Sequence, residues 1–441
     1  MLNTRYVLWV TFGLTGIIAL DLYFLIDRYA VNLMLWDQWE FYRPIFNGGS
    51  LWEIFNYQHG PHRQGIGGLL ILKIAQVSGW DSRWDAFAVA GTLTVAAAAA
   101  VFLAKRCGTN GWSLCVIPLL LFNIRQYEGF VFASNVSHGA MPVLLLVLLS
   151  FCWFIQSPFQ RYLCISLLTF ALIFTGFGLF AGLLTPLVLF AEAYLGFSEK
   201  KPPFGWYAVG AIALVIISWL LFLHNYHFAP AVSEYRFPHE RPWEYGLFVA
   251  TMLSNFYGLA GHGFLSVFAG IGVAFFLVYL SIFYGLRIIR DPHDIGLNRT
   301  VFCLAAFTLV FCVQTAIGRT CLGWESASRA SRYVTLMIPG GLAIGLHLAT
   351  IKSRFRPPWV TLAYGALLVI GTMQLRESDW MLIKQWHDGR ETWKETYLHT
   401  HDQQKANEAS QFTIFPGGMP EAHMQFLEKH RLNLFKPAAP R

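Results

Sequence analysis

Four short clusters in this sequence carry residue types able to do chemistry, and each sits at the edge of an apolar run. The first is Trp36-Asp37-Gln38-Trp39-Glu40, with two acids three residues apart. On a helix that spacing puts both carboxylates on one face. A carboxylate just beyond an apolar run can act as general base for a hydroxyl, or as ligand for a divalent cation. An interfacial aromatic belt with solvated acids between its rings has the same composition. The second cluster is His59-Gly60-Pro61-His62-Arg63. Arg63 can hold a phosphate oxygen bidentately with His62 donating beside it. A Gly-Pro turn followed by a snorkelling arginine fits the same residues. His59 and His62 have the spacing of a zinc pair, but Pro61 breaks the helix that would align them, so no zinc is expected.

The third cluster is Arg125-Gln126-Tyr127-Glu128 at the end of a short apolar run. A cation capping a helix C-terminus explains Arg125, but it leaves Gln126 and Glu128 without a role. The fourth is Gly318-Arg319 followed by Ser328-Arg329-Ala330-Ser331-Arg332-Tyr333. If these arginines lie on the non-cytoplasmic side, topology does not require them, and a phosphate or pyrophosphate is the ligand they would suit. Pairing with an acid such as Glu325 is the other reading.

What must position these clusters is membrane-embedded helix. The 441 residues are 55% hydrophobic and only 13% charged, about half the charge of a soluble domain. Mean hydropathy is +0.46. Solid Leu/Ile/Val/Phe/Ala runs, without alternation, call for helices and exclude a barrel. Eleven runs are predicted to cross: 6–26, 84–103, 112–124, 140–155, 162–174, 177–195, 204–224, 264–286, 301–317, 333–349 and 359–373. The pair meeting at Thr175-Gly176 reads either as a tight hairpin or as one bent helix. The stretch 243–259, with Glu244, Asn255 and Gly258, reads as interfacial. The net charge of +7 falls in short loops and indicates topology and lipid phosphates, with no nucleic acid as partner. A cytoplasmic N-terminus places Lys105-Arg106, Arg161, Lys200-Lys201, Arg287, Arg290, Arg299, Lys352, Arg354 and Arg356 inside. Residues 27–83 then form a long first outside loop, itself carrying an interfacial apolar stretch at 66–77. Residues 1–373 make one membrane domain. Residues 374–441 are a polar outside segment, rich in Trp at first and looser beyond. The seven scattered cysteines imply neither a disulfide framework nor a thiolate metal site.

With these clusters placed, the arrangement resembles bacterial glycosyltransferases of the GT-C type, multi-pass enzymes of the inner membrane that use polyprenyl-phosphate sugars on the periplasmic side. Asp37 matches the acid such enzymes carry in the first outside loop, where Asp-x-Asp or Glu-x-Asp is common; this chain has Asp37 and Glu40 instead. His62-Arg63, Gln126-Tyr127-Glu128 and Ser331-Arg332-Tyr333 resemble segments of a subgroup. The resemblance covers the chain to about Met373. It implies an all-α membrane fold and inverting transfer to a glycan or lipid acceptor. Asp37, with Glu40, would be catalytic; His62, Arg63, Gln126, Glu128, Arg319, Arg332 and Tyr333 would bind substrate. It implies no organic cofactor and leaves a divalent cation open. The alternatives are a transporter or flippase, for which Asp21, Gln314 and the Thr175-Gly176 break are the polar candidates, and an enzyme like the O-antigen polymerases.

Overall fold

The computed structural model describes residues 4–200, 202–228, 232, 234–259, 263–290, 295–328, 330–350, 359–415 and 421–436. About 80% is helical. Helices α1 (Thr4–Tyr29) and α5 (Arg83–Arg106) flank the first long loop, which holds α2 (Asp37–Phe46), α3 (Leu51–Asn56), a hairpin of β1 (Gln58–His59) and β2 (His62–Arg63), and α4 (Gly65–Ser78). The bundle continues through α6 (Val116–Leu121), α7 (Glu128–Val131), α8 (Ala140–Cys152), α9 (Pro158–Phe174), α10 (Leu179–Ser198), α11 (Pro202–Leu223), α12 (Trp243–Phe256), α13 (Phe264–Arg290), α14 (Ile295–Arg319), α15 (Ile338–Thr350) and α16 (Trp359–Thr372). Helices α17 (Glu377–Thr400), α18 (Gln403–Ser410) and α19 (Glu421–Lys429) close the chain.

This is an all-α, multi-pass membrane protein. Among the described residues, seven helices are long and apolar enough to cross a membrane by length and composition. Helices α8 and α9 and the Ala363–Thr372 part of α16 are apolar but shorter. The run at 112–124 breaks into a 3-10 turn, Gly111–Cys115, and the six-residue α6. It stops there because the Asn123 side chain accepts the Arg125 N–H at 3.0 Å, turning the backbone out of the helix. Helices α9 and α10 form the tight hairpin, since Thr169 donates to Thr185 and Tyr162 to Glu192 across antiparallel faces. Helix α12 also runs antiparallel to its successor, with Ser254 bonded to Ser266 and the Ala250 carbonyl against Gly270 of α13. Its 14 residues reach about 21 Å, short of the roughly 30 Å of hydrocarbon.

The C-terminal segment is not loose. Arg390, buried on α17, donates to the carbonyls of Val31, Leu33, Val131 and Phe132. Asn433 bonds Asn32 and the Trp80 carbonyl. Phe46 of α2 stacks on His423, with ring centroids 4.2 Å apart. The tail and the first loop therefore pack as one layer over one end of the bundle, and that layer holds the acids. Arg299 also departs from expectation. It is buried against Glu192 of α10 instead of lying in a loop, so it says nothing about topology.

Candidate functional site

Asp37 opens α2, where the helix N-terminus favours a negative charge. The residue before it, Trp36, has φ +48°, a left-handed conformation strained for a bulky side chain. The C-terminal segment holds it there: the Trp36 N–H donates to Ile414 O at 2.7 Å and the indole to Thr413 O at 3.2 Å. From below, the buried Asp85 of α5 accepts from Tyr42 at 3.0 Å and Gln38 at 3.3 Å. Gln38 in turn accepts the Leu35 N–H. With its buried face pinned, α2 presents Asp37 outward; the side chain is 52% exposed. Glu40 is committed elsewhere, bonded by Arg43 at 2.5 Å and by Tyr57 at 3.3 Å. Burial, then the Glu40 charge, pushes the Tyr57 hydroxyl up to about 12, so Tyr57 stays a donor.

The hairpin brings His59 to 4.0 Å from the Asp37 carboxylate. His62 points the other way and meets His138, Nε2 to Nε2, at 2.7 Å. Phe41 of α2 packs edge-on against both His59 and His138, with centroids 4.8 and 4.9 Å apart. Two glycines permit the approach. Gly65 and Gly176 have φ of +54° and +51°; a Cβ on the first would overlap Thr175 and on the second the Ser137 carbonyl. Ser137 and Asn135 tie the His138 loop to Gln64. Burial pushes His62 down to about 3, aided by the charges of His59 and Arg319. It pushes His138 well down too, aided by His62, His59 and Arg332. Both imidazoles are therefore neutral at pH 7, one donating and one accepting.

Arg332 faces this pair. Its guanidinium lies 5.5 Å from the Tyr333 ring, within electrostatic reach of Glu128 and Asp37. Burial raises Glu128, while Arg332 and the backbone at 332 and 331 pull it down. The Glu128 N–H also donates to Ser331 Oγ at 3.1 Å. Arg319 ends α14 within electrostatic reach of His62. Asp37, Glu128 and Arg332 thus come together from three distant stretches of sequence, and Arg319 reaches the histidine pair beside them. Among the described residues, none of these four closes a direct ion pair with a lysine, an arginine or a carboxylate; the one contact of that kind is His59 with Asp37 at 4.0 Å.

Three expectations fail here. Arg63 is no phosphate ligand: it is buried and spent on the carbonyls of Asn56, Phe222 and His224, tying the hairpin to the end of α11. Gln126 is packing, donating to Leu121 O at 2.8 Å and accepting from Thr335 at 2.6 Å. Arg125 does not cap its own short helix; it bonds Gly371 O in the last turn of α16 and lies 3.6 Å from Asp379. Tyr333 is buried and supports Arg332. Arg329 lies outside the described residues. His138, Asp85 and Phe41 carry no spacing in the sequence that marks them as part of a site. Among the described residues, no three His, Cys, Asp or Glu side chains converge to hold a metal ion. No family model, curated protein or solved structure matches the chain.

Proposed function

We propose that the chain is a GT-C type membrane glycosyltransferase, moving a sugar from a polyprenyl-phosphate donor to a cell-envelope glycan or lipid acceptor. One observation carries the reading: an exposed carboxylate, Asp37, lies within electrostatic reach of Arg332, beside a histidine pair that Arg319 also reaches, at the end of the bundle. In this reading Asp37 takes the proton of the acceptor hydroxyl as its oxygen attacks the anomeric carbon. The bond from that carbon to the phosphate oxygen breaks, and its electron pair leaves with the lipid phosphate. Arg332 and Arg319 stabilise that charge, each contributing on the order of 3 kcal/mol. Phosphate is a good leaving group, so no second carboxylate is needed as acid, in contrast to glycosidases. Glu40, held by Arg43 and Tyr57, orders α2 and leaves the proton transfer to Asp37. The neutral His62–His138 pair supplies a donor for sugar hydroxyls.

An apolar groove of about 570 Å³ supports a lipid substrate. It runs along Leu309, Val313 and Ala316 of α14, against α12 and α13, and ends one turn before Arg319. The short helices α8, α9 and α16, added to the seven long ones, would approach the expected eleven crossings. The membrane is taken as a bacterial inner membrane, the N-terminus as cytoplasmic and the Asp37 end as periplasmic. The test is to incubate purified protein in vesicles with a polyprenyl-phosphate sugar and follow free polyprenyl phosphate. Release by wild type and its loss in Asp37→Asn is the expected result. Donor that crosses the bilayer unconsumed would make the protein a transporter instead.

A further inference from the structure

We infer that the uncovered face of α1 is a docking surface for a second transmembrane helix carrying a lysine or arginine, independently of what the Asp37 site does. Helix α1 packs only one side into the bundle; a third of its apolar span is buried. Its other side is a continuous exposed stripe: Trp9, Gly13, Gly16, Leu20 and Phe24 follow one another at three or four residues, and Asp21 joins it four residues after Ile17 and three before Phe24. Trp9 is 78% exposed and Phe24 70%. Lipid alone would cover such rings. It would not account for two other features of the same stripe.

The first is a notch. A Cβ on Gly13 or Gly16 would meet nothing within 4 Å, so the backbone lies bare where another helix could approach closely. Small residues on one helix face are what close helix–helix contact in membranes uses. The second is Asp21. It is exposed, and among the described residues no cation pairs with it. Arg28, the basic residue ending α1, stands seven positions further on, about 10 Å along the axis. Asp21 therefore lies well inside the span that Arg5 and Arg28 bracket. An ionisable residue at that depth is costly unless it faces water, protein or a partner charge. A cleft of about 480 Å³ opens beside it, lined also by Arg28, Tyr29, Gln374 and Trp380. The sign of the charge selects the occupant. A second copy of this chain packing parallel through the same stripe would set Asp21 against Asp21. A different helix with one cation at this level would complement it and fill the glycine notch. A lipid headgroup would use the cleft but not the notch.

The experiment places a benzophenone amino acid at Ile17, which is 67% exposed on this face. The full-length protein is reconstituted in phosphatidylethanolamine–phosphatidylglycerol vesicles with a biotinylated, leucine-rich single-pass helix. One version of that probe carries a lysine two turns from its end, the other leucine. Photocrosslinking is expected to favour the lysine probe about tenfold, a usual scale for one interhelical polar contact. Asp21→Asn should abolish the preference. Gly13→Ile with Gly16→Ile should lower capture of both probes. These positions touch no neighbour, so thermal unfolding should not move. Equal capture of the two probes, a preference that survives Asp21→Asn, crosslinks to a second copy, or crosslinks to lipid alone would each overturn the proposal.

Discussion

Two polar clusters in this molecule use the same residue types to opposite ends. Between α10 and α14, Glu192 and Arg299 are paired and all but inaccessible, with Tyr162 donating to the same carboxylate at 2.7 Å. At the end of the bundle, Arg332 stands within electrostatic reach of Asp37 and Glu128, and Arg319 within reach of His62, but among the described residues these acids and arginines close no direct pair with one another. A saturated network has no capacity left for a ligand, so it can only hold helices together. An open one pays a stability cost that makes sense if a ligand completes it. The same contrast separates two arginines that look alike in sequence: Arg63 is filled by three carbonyls, and Arg332 is not.

The largest effect should come from breaking the closed cluster. Glu192→Ala leaves the Arg299 guanidinium buried without its counter-charge, a loss on the order of 3–5 kcal/mol. The thermal unfolding midpoint in detergent should fall steeply, and activity should fall only as folded protein is lost. Next comes Arg332→Gln in the open cluster. Turnover of a polyprenyl-phosphate sugar should drop about 10²- to 10³-fold, with the midpoint little changed. A variant at 332 that unfolds the protein, or one at 192 that folds normally, would erase the distinction between the clusters.

Arg63→Gln sharpens it, because sequence alone puts Arg63 and Arg332 in one class. The variant strands the Phe222 and His224 carbonyls at the end of α11, at a cost of about 2–3 kcal/mol. Stability should fall while the Michaelis constant for the lipid donor stays put. This residue also marks what the sequence conveyed. The apolar runs announced the helices, because lipid forces every crossing backbone to bond internally. Asp37 and Arg332 were legible because a charge at the edge of an apolar run needs a reason. Whether a charge is spent or free was not legible. Asn56, Phe222 and His224 satisfy Arg63 from up to 161 residues away, and backbone carbonyls leave no trace in residue type. His138 was hidden likewise, since its partner His62 lies 76 residues off. The tail read as loose because Arg390 and Asn433 also find their partners in distant backbone.

The smallest effect is a pH dependence confined to the open cluster. His62 sits at about 3 in the fold, against an ordinary 6.5, chiefly through burial. His138 is depressed for the same reason. Below pH 6.5 the unfolded chain therefore binds protons that the folded chain refuses, so this contribution to stability is present above 6.5 and shrinks as pH falls toward 3. At pH 5.5 each imidazole should cost about 1.4 kcal/mol relative to neutral pH. Glu128, raised by burial, has the opposite sign: its contribution grows as pH falls toward its ordinary 4.5 and offsets part of the histidine slope. The charges facing the imidazoles, Arg319 and Arg332, keep them neutral and do not titrate in this range. Between pH 7.5 and 5.5 the unfolding midpoint of His62→Gln should thus fall less, or rise more, than that of wild type. A slope unchanged in His62→Gln would mean that this imidazole is reached by water, and that the cluster around Asp37 is more open than its packing implies.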